Sequence, residues 1–360
     1  MADKPPYRVP SMAEIAEIPP NGYTAASTFS GCGGSSLGYR MAGFRVLWAS
    51  EFVEAARETY RANAPDYTIL DGRDIRQVQP AEVLDATDLD VGDLDLLDGS
   101  PPCASFSMTG KRQKYWGEVK AYSDTKQRTD DLFSEFARLV RGIQPRVFVA
   151  ENVSGLVRGT AKGYFIRILA ELRDCGYQVR AKLLDAQWLG VPQARQRLIF
   201  VGVRSDLDLE PAFPDPLPYR YSITDAAPGI ADADSTDPET GADISIERFA
   251  IGPEWIRLAP GQVSTRYLNL IRAHLDRPSP TVTALGGNVG AAAVAHPGRP
   301  RKYNLRELRA ICGFPPDFEL TGTFEQRWER LGRAVPPLMM QWIAAEVRDQ
   351  VLDRLPARAS

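Results

Sequence analysis

Between residues 23 and 204, short apolar runs alternate with stretches of helical periodicity. Residues 23–29 read as a strand that ends in a glycine-rich turn, and the helical pattern after it reaches Ala42. Residues 45–50 make a second strand-like run, followed by a helix reaching Ala62. A third run, residues 94–97, leads into Pro101-Pro102-Cys103. An amphipathic helix is expected over 130–142, a buried strand over 146–150 and a helix over 164–175. Two further strands are expected over 178–185 and 197–203. This alternation predicts an α/β fold built on a parallel, doubly wound sheet. Ligands of such sheets sit beyond the carboxyl ends of the strands. The glycine turn, Glu51, Cys103 and Glu151 all fall at expected strand ends, so they converge on one crevice.

The pattern changes after residue 204. Residues 205–243 are rich in Pro, Asp and Ala and lack periodicity. Residues 244–275 hold short strand-like runs and a turn over 255–261, and helical signals return over 304–312 and 337–352. The expected division is a polar lead-in over 1–22, a main domain over 23–204, a small irregular module over 205–275, and segments over 276–360 that rejoin the main domain.

Composition narrows the class only slightly. No run is long and apolar enough to span a membrane, and the first residues lack a signal-peptide core, so a cytoplasmic protein is expected. The four cysteines lie far apart without metal-ligand spacing, and reduced thiols are the default. With His274 and His296 as the only histidines, no metal site is expected, nor a Cys-His nucleophile pair. A net charge of −3 gives no general attraction to nucleic acid. Lys111, Arg112 and Lys114 form one local basic cluster, and Arg299, Arg301, Lys302, Arg306 and Arg309 another.

Four places carry candidate chemistry. Cys103 sits on a loop stiffened by two prolines, a setting that suits a nucleophile as well as a small buried filler. Phe29-Ser30-Gly31-Cys32-Gly33-Gly34 lets the backbone turn tightly and approach a ligand. Glu51 stands where an acid binds a ribose diol, and equally where one merely caps a helix. Asp74-Ile75 follows the next segment and is either a plain turn or one wall of an adenine pocket.

In order along the chain come Phe29-Ser30-Gly31-Cys32-Gly33-Gly34, Pro102-Cys103, Glu151-Asn152-Val153, Gln193-Ala194-Arg195-Gln196-Arg197 and Arg277-Pro278-Ser279-Pro280-Thr281. Gly313-Phe314-Pro315 and Gly332-Arg333-Ala334-Val335 follow. Over residues 23–347 this series resembles the DNA (cytosine-5) methyltransferases. The resemblance implies a Rossmann-like catalytic domain over 23–204, a target recognition domain over 205–275, and S-adenosylmethionine as cofactor. It implies that Cys103 attacks C6 of a cytosine flipped out of double-stranded DNA, because C5 is otherwise too weak a nucleophile and C6 is inaccessible in the stack. Glu151 would hydrogen-bond the base, and Arg195 and Arg197 would hold it and order the site. Phe29, Ser30, Gly31, Gly33 and Gly34 would line the cofactor site, with Glu51 on the ribose, Phe52 against the adenine, and Asp74 and Ile75 completing that pocket. Ser100, Pro102, Ala334 and Val335 would border the cofactor, while Ser107, Lys111, Arg112 and Lys114 would meet DNA. Such enzymes act as monomers, some with a cognate restriction endonuclease. An RNA cytosine-5 methyltransferase is the nearest alternative, but its Cys-Phe-Thr signature is missing. A non-catalytic DNA-binding protein would not need Cys103, Glu151 and both arginines.

One position departs from the family. Its last motif reads Gly-Asn-Ala-Val, whereas this chain has Arg333 in place of the asparagine. A guanidinium about 6 Å from a sulfonium is repelled by roughly 3 kcal/mol at an effective dielectric near 20. Something anionic must offset it. Three readings are open: Arg333 turns outward to an acid or a phosphate, or it binds the carboxylate of carboxy-S-adenosylmethionine and the enzyme is a carboxymethyltransferase, or the site is inactive.

Overall fold

The computed structural model describes residues 4–102, 131–157, 162–230 and 234–356, with the backbone of a short antiparallel pair at Lys120–Tyr122 and Thr125–Gln127. Its contacts divide it into two compact units. One comprises Ile18–Leu184, Gln196–Asp215 and Met340–Ser360; the other comprises Met1–Glu17, Asp185–Arg195 and Pro216–Met339. These divisions do not coincide with residues 204 and 275.

The first unit holds a seven-stranded sheet: β1 (Thr24–Thr28), β2 (Arg45–Ser50), β3 (Ile69–Asp71), β4 (Leu96–Gly99), β5 (Val147–Val153), β6 (Tyr177–Asp185) and β7 (Gln196–Arg204). Their order is β3-β2-β1-β4-β5-β7-β6. The pairs β3–β2, β2–β1, β1–β4 and β4–β5 are parallel. Between β1 and β4 the order reverses direction, which is the switch point where doubly wound sheets bind ligands. The arrangement is a Rossmann-like methyltransferase fold. One expectation is corrected: β7 runs antiparallel to β5, with Ile199 opposite Glu151 and Arg197 opposite Val153. The start of β7 therefore lies beside the end of β5.

Among the described residues, the helices of this unit include α1 (Gly34–Met41), α2 (Glu54–Asn63), α3 (Pro80–Thr87), α4 (Leu132–Ile143) and α5 (Lys162–Arg173). α4 forms because Leu132, Phe133, Phe136, Leu139, Val140 and Ile143 recur at helical spacing and are all buried. Gln144 ends it in the left-handed conformation at φ 54°. Phe133 and Phe136 pack edge-on against Phe200 and Phe148, joining the helix to β7 and β5.

The second unit has a small core of Ile246, Ile251, Trp255, Leu258, Leu270 and Ala295. Where short strands and a turn are expected over 244–275, residues Ile251–Arg257 form a helix, α6. Pro253 misleads the sequence reading: proline stops a helix interior, but its fixed φ is tolerated in a first turn. Two capping boxes start α7 (Leu305–Cys312) and α8 (Phe324–Arg333), made by Asn304 with Glu307 and Thr323 with Gln326. The last helix, α9 (Pro337–Gln350), continues into the first unit. No helix among the described residues is long and apolar enough to cross a membrane.

Candidate active site

β1 ends in an unusual turn. Phe29 has φ 54°, left-handed for a residue that is not glycine, followed by Gly31 at 56° and Gly33 at 94°. A Cβ on Gly33 would lie 3.0 Å from the Tyr60 ring, whereas Gly31 has open space beside it. Glu51, just beyond β2, is fixed against this turn. One carboxylate oxygen accepts the Gly31 N–H at 2.7 Å and the other accepts the Val53 N–H at 2.7 Å. Next to it, Phe52 exposes 39% of its surface, which is high for so large an apolar side chain. An open glycine backbone, an oriented carboxylate and an exposed ring fit the glycine, ribose and adenine contacts of a nucleoside cofactor.

Asp74 and Ile75 form a rigid turn nearby in sequence. Asp74 caps a short 3-10 helix through the Arg76 N–H and pairs with the Arg76 side chain, which also grips Asp131 at 2.6 Å. Ile75 is buried. Ser100 donates its N–H to the Thr28 carbonyl at 3.4 Å, holding the start of the proline loop to β1. Pro102 is half-buried on that loop. Cys103, Ser107, Lys111, Arg112 and Lys114 lie outside the described residues.

Glu151 and Arg197 meet on one face of the β5–β7 pair. The register makes them diagonal neighbours, and Arg197 Nε donates to Glu151 Oε1 at 2.7 Å. Their side chains are only 13% and 12% exposed. Burial lowers the Arg197 proton affinity and the Glu151 charge opposes that. Asn152, absent from the expected site residues although inside their motif, donates Nδ2 to the Pro101 carbonyl at 3.3 Å. It thus fastens the loop that leads to Cys103.

A second residue missed by sequence reasoning is Asp98, at the end of β4 and 1% exposed. It accepts Ser27 Oγ at 2.8 Å and Tyr39 Oη at 3.1 Å. The sequence signal was an acid set between Leu97 and Gly99 in an otherwise apolar strand.

In the second unit, the motif at 193–195 pairs with the one at 277–281: Gln193-Ala194 runs parallel to Ser279-Pro280. Arg195 is 1% exposed, and its guanidinium donates to the carbonyls of Val282, Gly332, Arg333 and Ala334 at 2.9–3.3 Å. It ties the C-terminal motif in place. Gly332 is required there, because a Cβ would come within 2.9 Å of Thr283 and Ala284 backbone atoms. Val335 is buried, and Ala334 donates its N–H to the Arg330 carbonyl. Arg333 donates Nε to Glu329 Oε1 at 2.6 Å, one helical turn back.

A family model for C-5 cytosine-specific DNA methylases matches residues 23–349. The chain belongs to that family. The methylase is 32% identical over 331 residues to the type II methyltransferase M.NgoFVII of Neisseria gonorrhoeae, covering 86% of this chain and 82% of the relative. It is 32% identical over 342 residues to M1.HphI of Haemophilus parahaemolyticus, covering 90% and 86%. Among solved structures, a DNA modification methyltransferase encoded within an E. coli prophage superposes with a TM-score of 0.72 at 21% identity, over 92% of the methylase and 100% of that chain. DNMT2 of Spodoptera frugiperda superposes with a TM-score of 0.62 at 17% identity, covering 89% and 98%.

Proposed function

We propose that this methylase transfers a methyl group from S-adenosylmethionine to C5 of a cytosine flipped out of double-stranded DNA, through a covalent bond from Cys103 to C6. The observation that carries the reading is the Glu151–Arg197 pair beside Asn152, which donates to the Pro101 carbonyl two residues before Cys103 in the sequence. When bound, S-adenosylmethionine supplies an electrophilic methyl group. Phe29, Ser30, Gly31, Gly33, Gly34, Glu51 and Phe52 would hold it, with Asp74, Ile75, Ser100 and Pro102 around them. The Cys103 thiolate adds to C6, which makes C5 nucleophilic. Glu151, positioned by Arg197, hydrogen-bonds the Watson–Crick edge of the base and offsets charge on the ring. After C5 is alkylated, a base takes the C5 proton and the electron pair expels the Cys103 thiolate. Arg195 orders the C-terminal motif. Ser107, Lys111, Arg112 and Lys114 meet the DNA backbone, and residues 205–275 read the target sequence.

Identity to the type II methyltransferases M.NgoFVII and M1.HphI supports a modification enzyme of the type II kind; action as a monomer and pairing with a cognate endonuclease are part of the proposal. Methyl is the favoured group. Glu329 already supplies the anion that Arg333 demands, so the carboxymethyl alternative gains no support from the geometry. Two experiments test the reading. DNA carrying 5-fluorocytosine, which has no C5 proton to lose, is expected to trap the wild type covalently and to leave Cys103→Ala unattached. Nucleoside mass spectrometry with either cofactor is expected to give 5-methylcytosine; 5-carboxymethylcytosine as the main product would reverse the choice of group.

A further inference from the structure

We propose that Asp98 is a positioning residue for the cofactor turn, acting through a hydrogen-bond relay Asp98–Ser27–Ser30 whose direction follows the protonation of its carboxyl. This rests on the reading of that turn as the S-adenosylmethionine site.

The relay is continuous and buried. Ser27 Oγ lies 2.8 Å from Asp98 Oδ2. Ser30 Oγ lies 3.1 Å from Ser27 Oγ and 3.0 Å from the Ser27 carbonyl. Ser27 is 1% exposed, and Ser30, on the turn itself, is 8% exposed. Tyr39 Oη on α1 holds the other carboxyl oxygen at 3.1 Å. Asp98 therefore joins β4, which leads to the Cys103 loop, to β1 and to the helix behind the turn.

A hydroxyl donates one hydrogen and accepts on its lone pairs. When Asp98 is ionised it only accepts, so Ser27 donates to it and Ser30 keeps its lone pairs for a donor on the cofactor. When Asp98 is protonated it donates to Ser27, Ser27 donates to Ser30, and one of those lone pairs is occupied. Burial pushes the Asp98 carboxyl up to about 7, against the Ser27 and Tyr39 hydrogen bonds that favour the charged form, and the Glu151 charge adds to the rise. The titratable groups bearing on it are Tyr39 on α1, Tyr60 on α2 and Glu151 on β5. The relay thus reverses near neutral pH.

The experiment measures S-adenosylhomocysteine binding to the whole protein by calorimetry, without DNA. Wild-type affinity is expected to tighten roughly fivefold from about pH 6 to about pH 8, the worth of one hydrogen bond. Asp98→Asn, whose amide keeps a donor toward Ser27, is expected to hold the low-pH affinity throughout. Ser27→Ala is expected to flatten the profile with Asp98 in place. An infrared band of a protonated carboxyl is expected to bleach through about pH 7 in the wild type and to be missing from Asp98→Asn. A pH-independent wild-type affinity, or an Asp98→Asn protein with the wild-type profile, overturns the proposal. Absence of binding at every pH overturns the cofactor reading itself, whereas binding without pH dependence removes the relay alone.

Discussion

Arg195 and Arg197 are two positions apart in one motif, yet their side chains have different work. Arg195 is used up on four backbone carbonyls, and Arg197 faces Glu151. Removing one member of a mostly buried ion pair leaves the other charged and unsolvated. Arg197→Ala is expected to cost about 3 kcal/mol in urea unfolding, and a double-mutant cycle with Glu151→Gln should return a coupling of about 1 kcal/mol or more. For Arg333→Asn the expectation differs: cofactor choice in the mass-spectrometric assay stays the same, since Glu329 already accompanies the arginine. A switch from carboxymethyl to methyl product in that variant would refute this. Glu51 and Glu151 were legible in the sequence as acids at expected strand ends, and Arg195 and Arg197 through the motif that carries the family resemblance. Asp98 was not, because its partners Ser27 and Tyr39 lie 71 and 59 positions away and only the folded sheet brings them together. Which arginine meets the glutamate was equally hidden, since it depends on the register between β5 and β7.

Helices with a wide apolar stripe were easy to read; those resting on one or two large side chains were not. α4 and α7 follow from their periodicity and end within two residues of expectation. α8 went unrecognised: its sequence is mostly polar, and Phe324, Trp328 and Leu331 make its whole apolar stripe. Trp328 is fully buried, donates Nε1 to the Thr283 carbonyl at 2.9 Å, and packs beneath Gly286. Trp328→Ala is expected to lower stability by about 3–5 kcal/mol in thermal or denaturant unfolding. A loss below about 1 kcal/mol would mean that the glycine-rich segment 284–287 does not depend on the indole. Strand β3 was missed for a simpler reason, being only three residues long and half-exposed.

Each compact unit carries a buried group that titrates near neutrality, and the two act in opposite senses. Burial raises Asp98 from 3.8 to about 7, so its folded form keeps a proton that the unfolded chain has lost. Its stabilising effect is full below about pH 3.8 and disappears as pH rises to about 7. Lys302 is fully buried with Nζ on the Ala291 carbonyl, and burial lowers it from 10.5 to about 7. Here the unfolded chain binds the extra proton, so stability rises with pH between about 7 and 10.5. In melting-temperature series, the advantage of Asp98→Asn over the wild type is expected to grow from about pH 4 to about pH 7 and then level off. The difference for Lys302→Met is expected to shift steadily against the variant from about pH 7 to about pH 10. Parallel curves for either pair would show that the group does not change its protonation on unfolding.

The reversed strand β7 has a consequence for how such a chain tolerates change in length. Side chains alternate between the two faces of a strand, so one inserted residue between Arg197 and Ile199 would carry Arg197 to the face away from Glu151. Every functional side chain would still be encoded, in the same order, and the pair would be broken. Substitutions along β7 alter single contacts, but a gain or loss of one codon there amounts to losing the arginine altogether.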